Sequence, residues 1–334
     1  MAKLEELFSE LDAGVAALRR AQRRLARYRQ ALLQAAVTGE LTREWREQQT
    51  HDIKLGNLDI ERPEWLPLGW DWTTLGDASE VTGGLTKNQR RPTLSRQVPY
   101  LRVANVYADE LRLEEIEEIG IQEGELRRAL LQKEDLLIVE GNGSLDQIGR
   151  VAIWDGSIDP CVHQNHIIKA RLSERVLPRF ALLWFLSPLG RDAIVEQASS
   201  TSGLHTLSIS KVSGLPLPIP PMQEQEAIVA EYDRRNSLTD ALRVTIQTSL
   251  RRAERLRQSI LERAFRGELV PQDPSDEPAE ALLALLARLK AAAPDTSTPR
   301  RRGRPPKAEP AEPQAPRRRG RPRKAAPLAS GGSA

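Results

Sequence analysis

The stretch RYRQALLQAAVTGEL, residues 27–41, recurs late in the chain as RLRQSILERAFRGEL, residues 255–269. At an offset of 228 positions, residues 23–41 and 251–269 are identical at ten of nineteen positions. Both copies end in Gly-Glu-Leu, and Gly39 and Gly267 stand where a glycine commonly ends a helix. The 334-residue chain therefore contains an internal repeat, and its two copies flank a segment with a different pattern.

Both copies have the seven-residue periodicity of helices that pack along a seam. Apolar residues recur at three- and four-residue steps, which predicts long helices over residues 4–38 and 223–265. We expect these helices to form one antiparallel or dimeric coiled coil; the alternative is that each helix separately covers a core. The predicted seam contains Leu11, Leu18, Leu25, Leu32, Leu242, Ile246, Leu256 and Ile260.

The segment between the copies predicts a globular α+β domain. Apolar stretches separated by glycine-containing turns predict strands at YLRVANV (100–106), DLLIVE (135–140), GRVAIW (149–154) and NHIIKARL (165–172). Residues 177–199 predict one or two short helices broken at Pro188, and the prolines of GLPLPIPPM (214–222) predict an extended segment.

The predicted organisation has six parts. They are a long helix over 1–40, a linker over 41–66, the globular domain over 67–221, a second long helix over 222–268, a linker with a short helix over 269–295, and a basic tail over 296–334. The tail consists mainly of Pro, Arg and Ala and cannot bury enough apolar surface to fold, so we expect it to be disordered.

The composition argues against several classes of protein. Cys161 is the single cysteine, which excludes a disulfide framework and a cysteine zinc site. The first residues lack the features of a signal peptide, and the apolar run FALLWFL (180–186) is too short to span a bilayer. We therefore expect a cytoplasmic protein.

No catalytic or metal site is predicted. The chain has neither the phosphate-binding loop GxxxxGK[ST] nor a GxGxxG motif after a strand, and nuclease and methyltransferase motifs are also absent from the sequence. His163 and His166 would face opposite sides of a strand, which argues against a shared metal. A nucleophilic pair of Cys161 and His163 is a weaker interpretation than a small buried thiol.

The tail predicts binding to DNA. Residues 300–324 contain eleven basic and two acidic residues, a net charge of +9, whereas the whole chain carries +3. RRGRPPK (301–307) and RRRGRPRK (317–324) repeat an Arg-Gly-Arg-Pro core that resembles an AT-hook, in which arginines enter a narrow A/T minor groove. The residues of the two cores are Arg302, Gly303, Arg304, Pro305, Arg319, Gly320, Arg321 and Pro322.

Two polar clusters of the globular domain are candidates for contact with bases or phosphates. TGGLTKNQRRPTLSRQ (82–97) is a turn-rich basic loop, and SSTSGLHTLSISK (199–211) is rich in hydroxyls. Polar surface loops without a ligand are the alternative for any single residue. The candidates are Lys87, Asn88, Gln89, Arg90, Arg91, Arg96, Ser200, Thr201, Ser202, His205 and Lys211.

Taken in order, these pieces resemble the specificity subunit of type I restriction–modification systems. The resemblance covers roughly residues 4–290 and depends on three stretches besides the helix ends: LPLGWDWTTLGDASEVTGG (66–84), GRVAIWDGSIDPCVHQNHIIKARL (149–172) and TLSISKVSGLPLPIPPMQEQEAIVAEYDRR (206–235). Each stretch is degenerate, and their order is the specific signal.

The resemblance implies a role in reading DNA rather than in catalysis. Family members carry target-recognition domains, each reading one half of a bipartite DNA sequence, and long helices that act as a ruler between them. A helix of about 35 residues spans about 50 Å, the scale of such a spacer. The resemblance also implies double-stranded DNA, methyltransferase subunits and a motor–nuclease subunit as partners. S-adenosylmethionine, ATP and magnesium would be bound by those subunits and not by this chain.

This sequence departs from the family in having one recognition domain, over 67–221. It is therefore either a half-subunit that forms a homodimer or a fragment of a longer subunit. The main alternative function is a stand-alone AT-hook protein that organises or regulates DNA and uses its helices only to dimerise. A weaker alternative is an enzyme, such as a nuclease, with an unrecognised site.

Overall fold

The computed structural model describes residues 2–48, 62–142, 144, 147–201, 204–271, 275 and 279–292. The chain divides into two units, Met1–Val270 and Pro271–Ala334. In the second unit the described structure is mainly one helix, Ala279–Ala292, where the sequence predicts a short helix. The predicted disorder of the basic tail concerns residues outside the described ranges.

The elements follow one another in the order helix, mixed α/β domain, helix. The α-helices are α1 (Ala2–Val37), α2 (Arg43–Gln48), α3 (Leu75–Ala78), α4 (Glu125–Ala129), α5 (Pro178–Leu186), α6 (Pro188–Gln197), α7 (Ile209–Ser213), α8 (Met222–Phe265) and α9 (Ala279–Ala292), and the 3-10 turns are η1 (Glu40–Thr42), η2 (Arg91–Thr93) and η3 (Val103–Asn105). The strands are β1 (Asp71–Thr74), β2 (Ser79–Gly83), β3 (Gln97–Leu101), β4 (Val106–Tyr107), β5 (Glu110–Leu111), β6 (Glu117–Gly120), β7 (Leu136–Val139), β8 (Gly141–Asn142), β9 (Val151–Ile153), β10 (Val162–His163), β11 (Ile167–Leu172), β12 (Ser199–Thr201), β13 (Leu204–Thr206) and β14 (Pro216–Ile219). None of the described helices is both long and apolar enough to cross a membrane.

The two long helices of one chain lie antiparallel. The Arg29 guanidinium is 3.5 Å from the Asp240 carboxylate, and Arg257 forms an ion pair with Asp12 near the other end of α1. These two pairs are equivalent under the repeat, because Asp12 aligns with Asp240 and Arg29 with Arg257 at the offset of 228. The helix pair therefore has an approximate local two-fold axis.

The predicted seam positions differ in burial, and the seam itself stays a prediction. Leu32 and Ile260 are buried, and Leu11, Leu18, Leu25 and Ile246 are half-buried. Leu242 and Leu256 are 55% and 50% exposed. A half-buried and buried stripe of α8 follows a strict seven-residue step through 232, 239, 246, 253 and 260. Leu242 and Leu256 lie beside this stripe, about 21 Å apart along the helix. The supercoiling of the pair stays a prediction.

A four-stranded sheet in the order β2-β11-β7-β9 divides the domain into two layers. Side chains of a strand alternate between the two faces of its sheet. Leu136 and Ile138 of β7 pack in a core shared with α1 and α5, which we name the helix-side core. Leu137 and Val139 pack on the opposite face in an outer core, beneath the hairpin of β4 and β5. The outer layer also contains the sheet β10-β3-β6.

Most of the predicted strands are confirmed in part. β7, β9 and β11 lie within the three later predicted stretches. The stretch predicted as a strand over 100–106 is interrupted, because Asn105 closes the turn η3: its side chain accepts from the Arg102 backbone N–H and donates to the carbonyl of Arg112. The predicted break near Pro188 is confirmed: Ser187 caps α6, and Pro188 is its first residue.

Aromatic side chains join the domain to the end of α1. Trp65, Trp72 and Trp184 pack with ring centroids 5.7 to 6.0 Å apart. Trp70 packs edge-on against Phe180 at 6.0 Å. Leu32, Leu33, Ala36 and Val37, the last turns of α1, are buried in the same helix-side core. The tryptophan-rich start of the domain therefore packs around the last turns of α1, and we call this packing site the socket.

The start of α8 is anchored by Glu224, whose side chain is 1% exposed. Its carboxylate accepts from the Thr42 hydroxyl at 2.8 Å and from the Trp70 indole N–H at 2.8 Å, and it forms an ion pair with Arg46. Thr42 and Arg46 lie in the segment predicted as a linker, which the structure shows as helical over residues 40–48. Glu224 thus joins the helical segment that follows α1, the domain and α8 at one point.

Candidate nucleic-acid interface

Three polar segments from distant parts of the sequence lie side by side in the domain: the loop 86–96, the turn 164–166 and the hairpin 199–206. The Asn165 N–H donates to the Leu85 carbonyl at 3.1 Å, which places the turn beside the start of the loop. The Glu140 N–H donates to the His166 carbonyl, and the Leu207 N–H donates to the Glu140 carbonyl. We name these three segments together the polar edge.

The loop 86–96 exposes most of its predicted residues. Lys87, Asn88, Gln89, Arg90 and Arg96 are exposed. Lys87 lies 2.9 Å from the Glu117 carboxylate, and the Asn88 side chain accepts from the Arg90 backbone N–H at 3.0 Å. The side chains of Arg90 and Arg96 have no ion-pair partner within the described ranges. They are the cations of this loop that are available to a phosphate or a base edge.

Arg91 was predicted to contact DNA, and the structure contradicts this prediction. Its side chain is about nine-tenths buried and forms a two-point ion pair with Glu125, with both N–O distances 3.0 Å. It also donates to the carbonyls of Thr86 and Gly120. Arg91 therefore holds the base of the loop, and its guanidinium holds the pKa of Glu125 below the ordinary value through their hydrogen bonds.

The hairpin of β12 and β13 brings part of the second predicted cluster to the polar edge. Ser200 and Thr201 lie in β12, His205 lies half-buried in β13, and Ser202 is outside the described residues. β13 also pairs with β8 through His205 and Thr206. Lys211 lies on α7, where its ammonium donates to the Gln197 carbonyl at 2.7 Å, so one of its donors is already used.

The sequence prediction missed the turn between the two clusters. His166 is largely exposed, its Nδ1 lies 2.9 Å from the Glu140 carboxylate, and Asn165 lies beside its ring. Both side chains can donate to and accept from base edges. The HQNH motif contains both residues, but the sequence analysis considered its two histidines only as metal ligands, rejected that role, and did not consider contact with DNA.

His163 and Cys161 belong to the core. His163 is buried and His166 exposed, as predicted for opposite faces. The His163 Nδ1 lies 2.9 Å from the Ile167 carbonyl, and burial lowers the pKa of His163 to about 4. Burial raises the pKa of the Cys161 thiol to about 12, which argues against a nucleophile at neutral pH. Across the described residues, no group of His, Cys, Asp or Glu could hold a metal ion.

The AT-hook-like residues, from Arg302 to Pro305 and from Arg319 to Pro322, lie outside the described residues. Their role in DNA binding stays a prediction.

Comparison with known proteins places this geometry in a family. The family model described as "Type I restriction modification DNA specificity domain" matches residues 67–248. The specificity subunit of the type I restriction enzyme EcoKI from Escherichia coli K12 is 30% identical over 299 residues, covering 86% of this chain and 60% of that protein. The StySPI specificity subunit from Salmonella potsdam is 29% identical over 296 residues, with the same two shares.

A solved structure supports the fold. Its description is "Structural basis underlying complex assembly and conformational transition of the type I R-M system", and it matches with a TM-score of 0.51 and 18% identity, covering 80% of this chain and 60% of the other. This chain spans about 60% of the length of the curated relatives it matches. With more than half of its residues matched by the family model, the chain belongs to the type I restriction–modification DNA specificity family.

Proposed function

We propose that this chain is the DNA-recognition subunit of a type I restriction–modification complex and reads one half of a bipartite target. The observation that carries the proposal is the polar edge, in which the loop that exposes Arg90 and Arg96 begins beside the turn that carries Asn165 and His166, on a domain anchored to a long helix pair. Arginine, asparagine and histidine can read base edges in the major groove, and a rigid attachment keeps that surface at a fixed distance along the DNA.

In this proposal the partner subunits catalyse both reactions, methylation and cleavage of the DNA. Methyltransferase subunits with S-adenosylmethionine would modify the site, and a motor–nuclease subunit with ATP and magnesium would cleave DNA. This chain would take no catalytic step and bind none of these cofactors. The complex would act in the cytoplasm at the nucleoid.

A second recognition domain, supplied by another chain, would complete the assembly. The local two-fold axis relates the buried Val37 to Phe265, which is 88% exposed. The end of the helix pair opposite the domain therefore presents the equivalent of a buried socket residue to solvent. The second domain comes from a copy of this chain in a homodimer or from a different specificity chain, and the target sequence distinguishes the two.

The decisive experiment is methylation mapping in cells that express the chain with a type I methyltransferase subunit encoded beside its gene. We expect a bipartite methylated motif that disappears without the chain. A palindromic motif would indicate a homodimer, because protein symmetry is mirrored in the DNA, and an asymmetric motif would indicate a different second chain. Absence of any chain-dependent motif would reject the proposal.

The repeated Arg-Gly-Arg-Pro cores favour a second candidate function, an AT-hook protein that binds A/T-rich DNA broadly. Arg304→Ala combined with Arg321→Ala should weaken binding to A/T-rich duplexes and leave the methylated motif unchanged. Loss of the motif in this double variant would instead assign sequence recognition to the tail.

A further inference from the structure

The outer layer of the domain, which carries the loop 86–96, reaches the helix pair by a contact separate from the helix-side core. The Arg179 guanidinium of α5 donates to the Asp109 carboxylate at 2.6 Å and to the Asp233 carboxylate at 3.0 Å. Asp109 lies in the hairpin of β4 and β5, and Asp233 lies on α8. One side chain therefore links the outer layer, α5 and the long helix.

This contact and the Glu224 anchor hold α8 at different places. Asp233 follows Glu224 by nine residues, which corresponds to about 14 Å along the helix and roughly half a turn around it. The two attachments thus hold α8 from opposite sides. Ile228 and Tyr232 of α8 are also buried in the helix-side core, so apolar packing holds the inner layer of the domain. The Arg179 contact adds a separate constraint on the outer layer.

The surroundings of Arg179 make it a charged network rather than an isolated surface pair. The Tyr232 side chain is buried, and burial raises its pKa while the positive charge of Arg29 on α1 opposes that rise. Arg29 also pairs with Asp240. The Arg179 side chain is 27% exposed, and its two carboxylate partners raise its pKa against the opposing effect of burial. Charge networks with several partners hold geometry better than single exposed ion pairs.

The backbone of Asp109 lies in the left-handed region, with φ +56°. Glycine adopts this conformation without strain, and aspartate is among the side chains that tolerate it best. The position therefore accepts both residues on backbone grounds, and only the aspartate supplies the acceptor for Arg179.

We propose that Arg179 is a positioning residue that sets the angle between the recognition domain and the helix pair, and through that angle the spacer length that the complex accepts. The inference rests on the proposed function, since spacing matters only if the domain reads half of a bipartite target. Arg179 need not touch DNA, and the base preference within each half-site is independent of it.

The first test measures the angle on the full chain without DNA. Spin labels at Glu118→Cys, on β6 of the outer layer, and at Gln258→Cys, on α8, report the distance between the layer and the far end of the helix; both positions are exposed, and Cys161 is buried. We expect Arg179→Gln, Asp109→Asn and Asp233→Asn to broaden the distance distribution. Arg175→Gln, which removes an ion pair with Asp71 in the helix-side layer, is the matched control and should leave it unchanged.

The second test measures spacing. The complex assembled with its methyltransferase is given targets whose spacer is the natural length, one base pair longer or one base pair shorter. We expect Arg179→Gln to raise methylation of the off-length targets relative to the natural target about fivefold, the effect of losing one modest charge contact. Discrimination against a base change within a half-site should stay the same.

Asp109→Gly separates positioning from folding. It relieves the backbone strain while removing the contact, so thermal stability should stay the same or rise while the distance distribution broadens.

An unchanged distance distribution in all three contact variants would overturn the inference, whatever the protein does with DNA. Broadened distances with an unchanged spacer preference would overturn the role in spacing. Absence of chain-dependent methylation in the wild type would reject the proposed function and leave the orientation result standing.

Discussion

His163 links the stability of the domain to pH. Burial lowers its pKa to about 4 in the folded chain, against about 6.5 in an unfolded chain. Between these two pKa values the unfolded state binds more protons at His163 than the folded state does. The contribution of the neutral His163 to the unfolding free energy is therefore fully present above about pH 6.5 and is lost as the pH falls toward 4.

The predicted loss for this single group is about 2–3 kcal/mol of unfolding free energy between pH 6.5 and 4. His163→Asn, which keeps a donor for the Ile167 carbonyl, should flatten this part of the curve. Urea unfolding at half-unit pH intervals measures both proteins. Parallel curves for wild type and variant would show that His163 does not titrate in this way.

Arg91 and Arg90 are neighbours in sequence with opposite roles. Arg91→Ala removes a nearly buried guanidinium and leaves Glu125 without its two-point partner, so we expect a loss of about 2–3 kcal/mol in stability. Arg90→Ala removes an exposed side chain and should change stability by less than about 0.5 kcal/mol while weakening binding to the target duplex. Thermal unfolding and a binding titration on both variants separate the roles; equal destabilisation would contradict the assignment.

At the scale of the helices, Ile246 and Leu242 provide a matched pair of seam positions. Ile246→Asp places an unpaired charge between α1 and α8 and should lower the unfolding temperature by several degrees. Leu242→Asp changes a side chain that is 55% exposed and should be tolerated. Circular dichroism melting curves measure both; equal destabilisation by Leu242→Asp and Ile246→Asp would support the seam predicted from sequence, which contains both residues.

The elements with a strong period were predictable, and their pairings were not. The long helices follow from local apolar spacing, and β7, β9 and β11 follow from runs of branched residues between turns. Leu242 has seam spacing in the sequence but is 55% exposed, because only the packing of the partner helix decides how deeply such a position is buried. Glu224 gave no local sign of its role, since Thr42 and Trp70 are 182 and 154 residues away.

The candidate site was predictable as polar loops but not as a surface. Five of the six predicted side chains of the loop 86–96 are exposed, whereas Arg91 turns inward to a partner 34 residues away. The juxtaposition of this loop with Asn165 and His166 depends on backbone hydrogen bonds between distant segments. Sequence spacing carries no information about such contacts.

At the scale of the whole molecule, Phe265 tests whether the free end of the helix pair receives another domain. Phe265→Ser should leave the unfolding temperature of the isolated chain unchanged, because the side chain is already 88% exposed. It should reduce association with the second specificity chain, measured by light scattering after size-exclusion chromatography. Val37→Ser, the equivalent change at the occupied end, should instead destabilise the chain. An unaltered assembly with Phe265→Ser would argue against docking at this end.

The local two-fold axis of the helix pair limits how this protein can evolve. The axis and the two equivalent ion pairs point to an ancestral gene segment that was duplicated and whose copies then diverged. An insertion in one helix alone would slide Arg29 away from Asp240 while Glu224 still holds both helices at the junction. Related proteins should therefore differ in the length of the helix pair by insertions of whole heptads that occur together in both helices. The DNA spacer lengths that they accept should then differ in discrete steps.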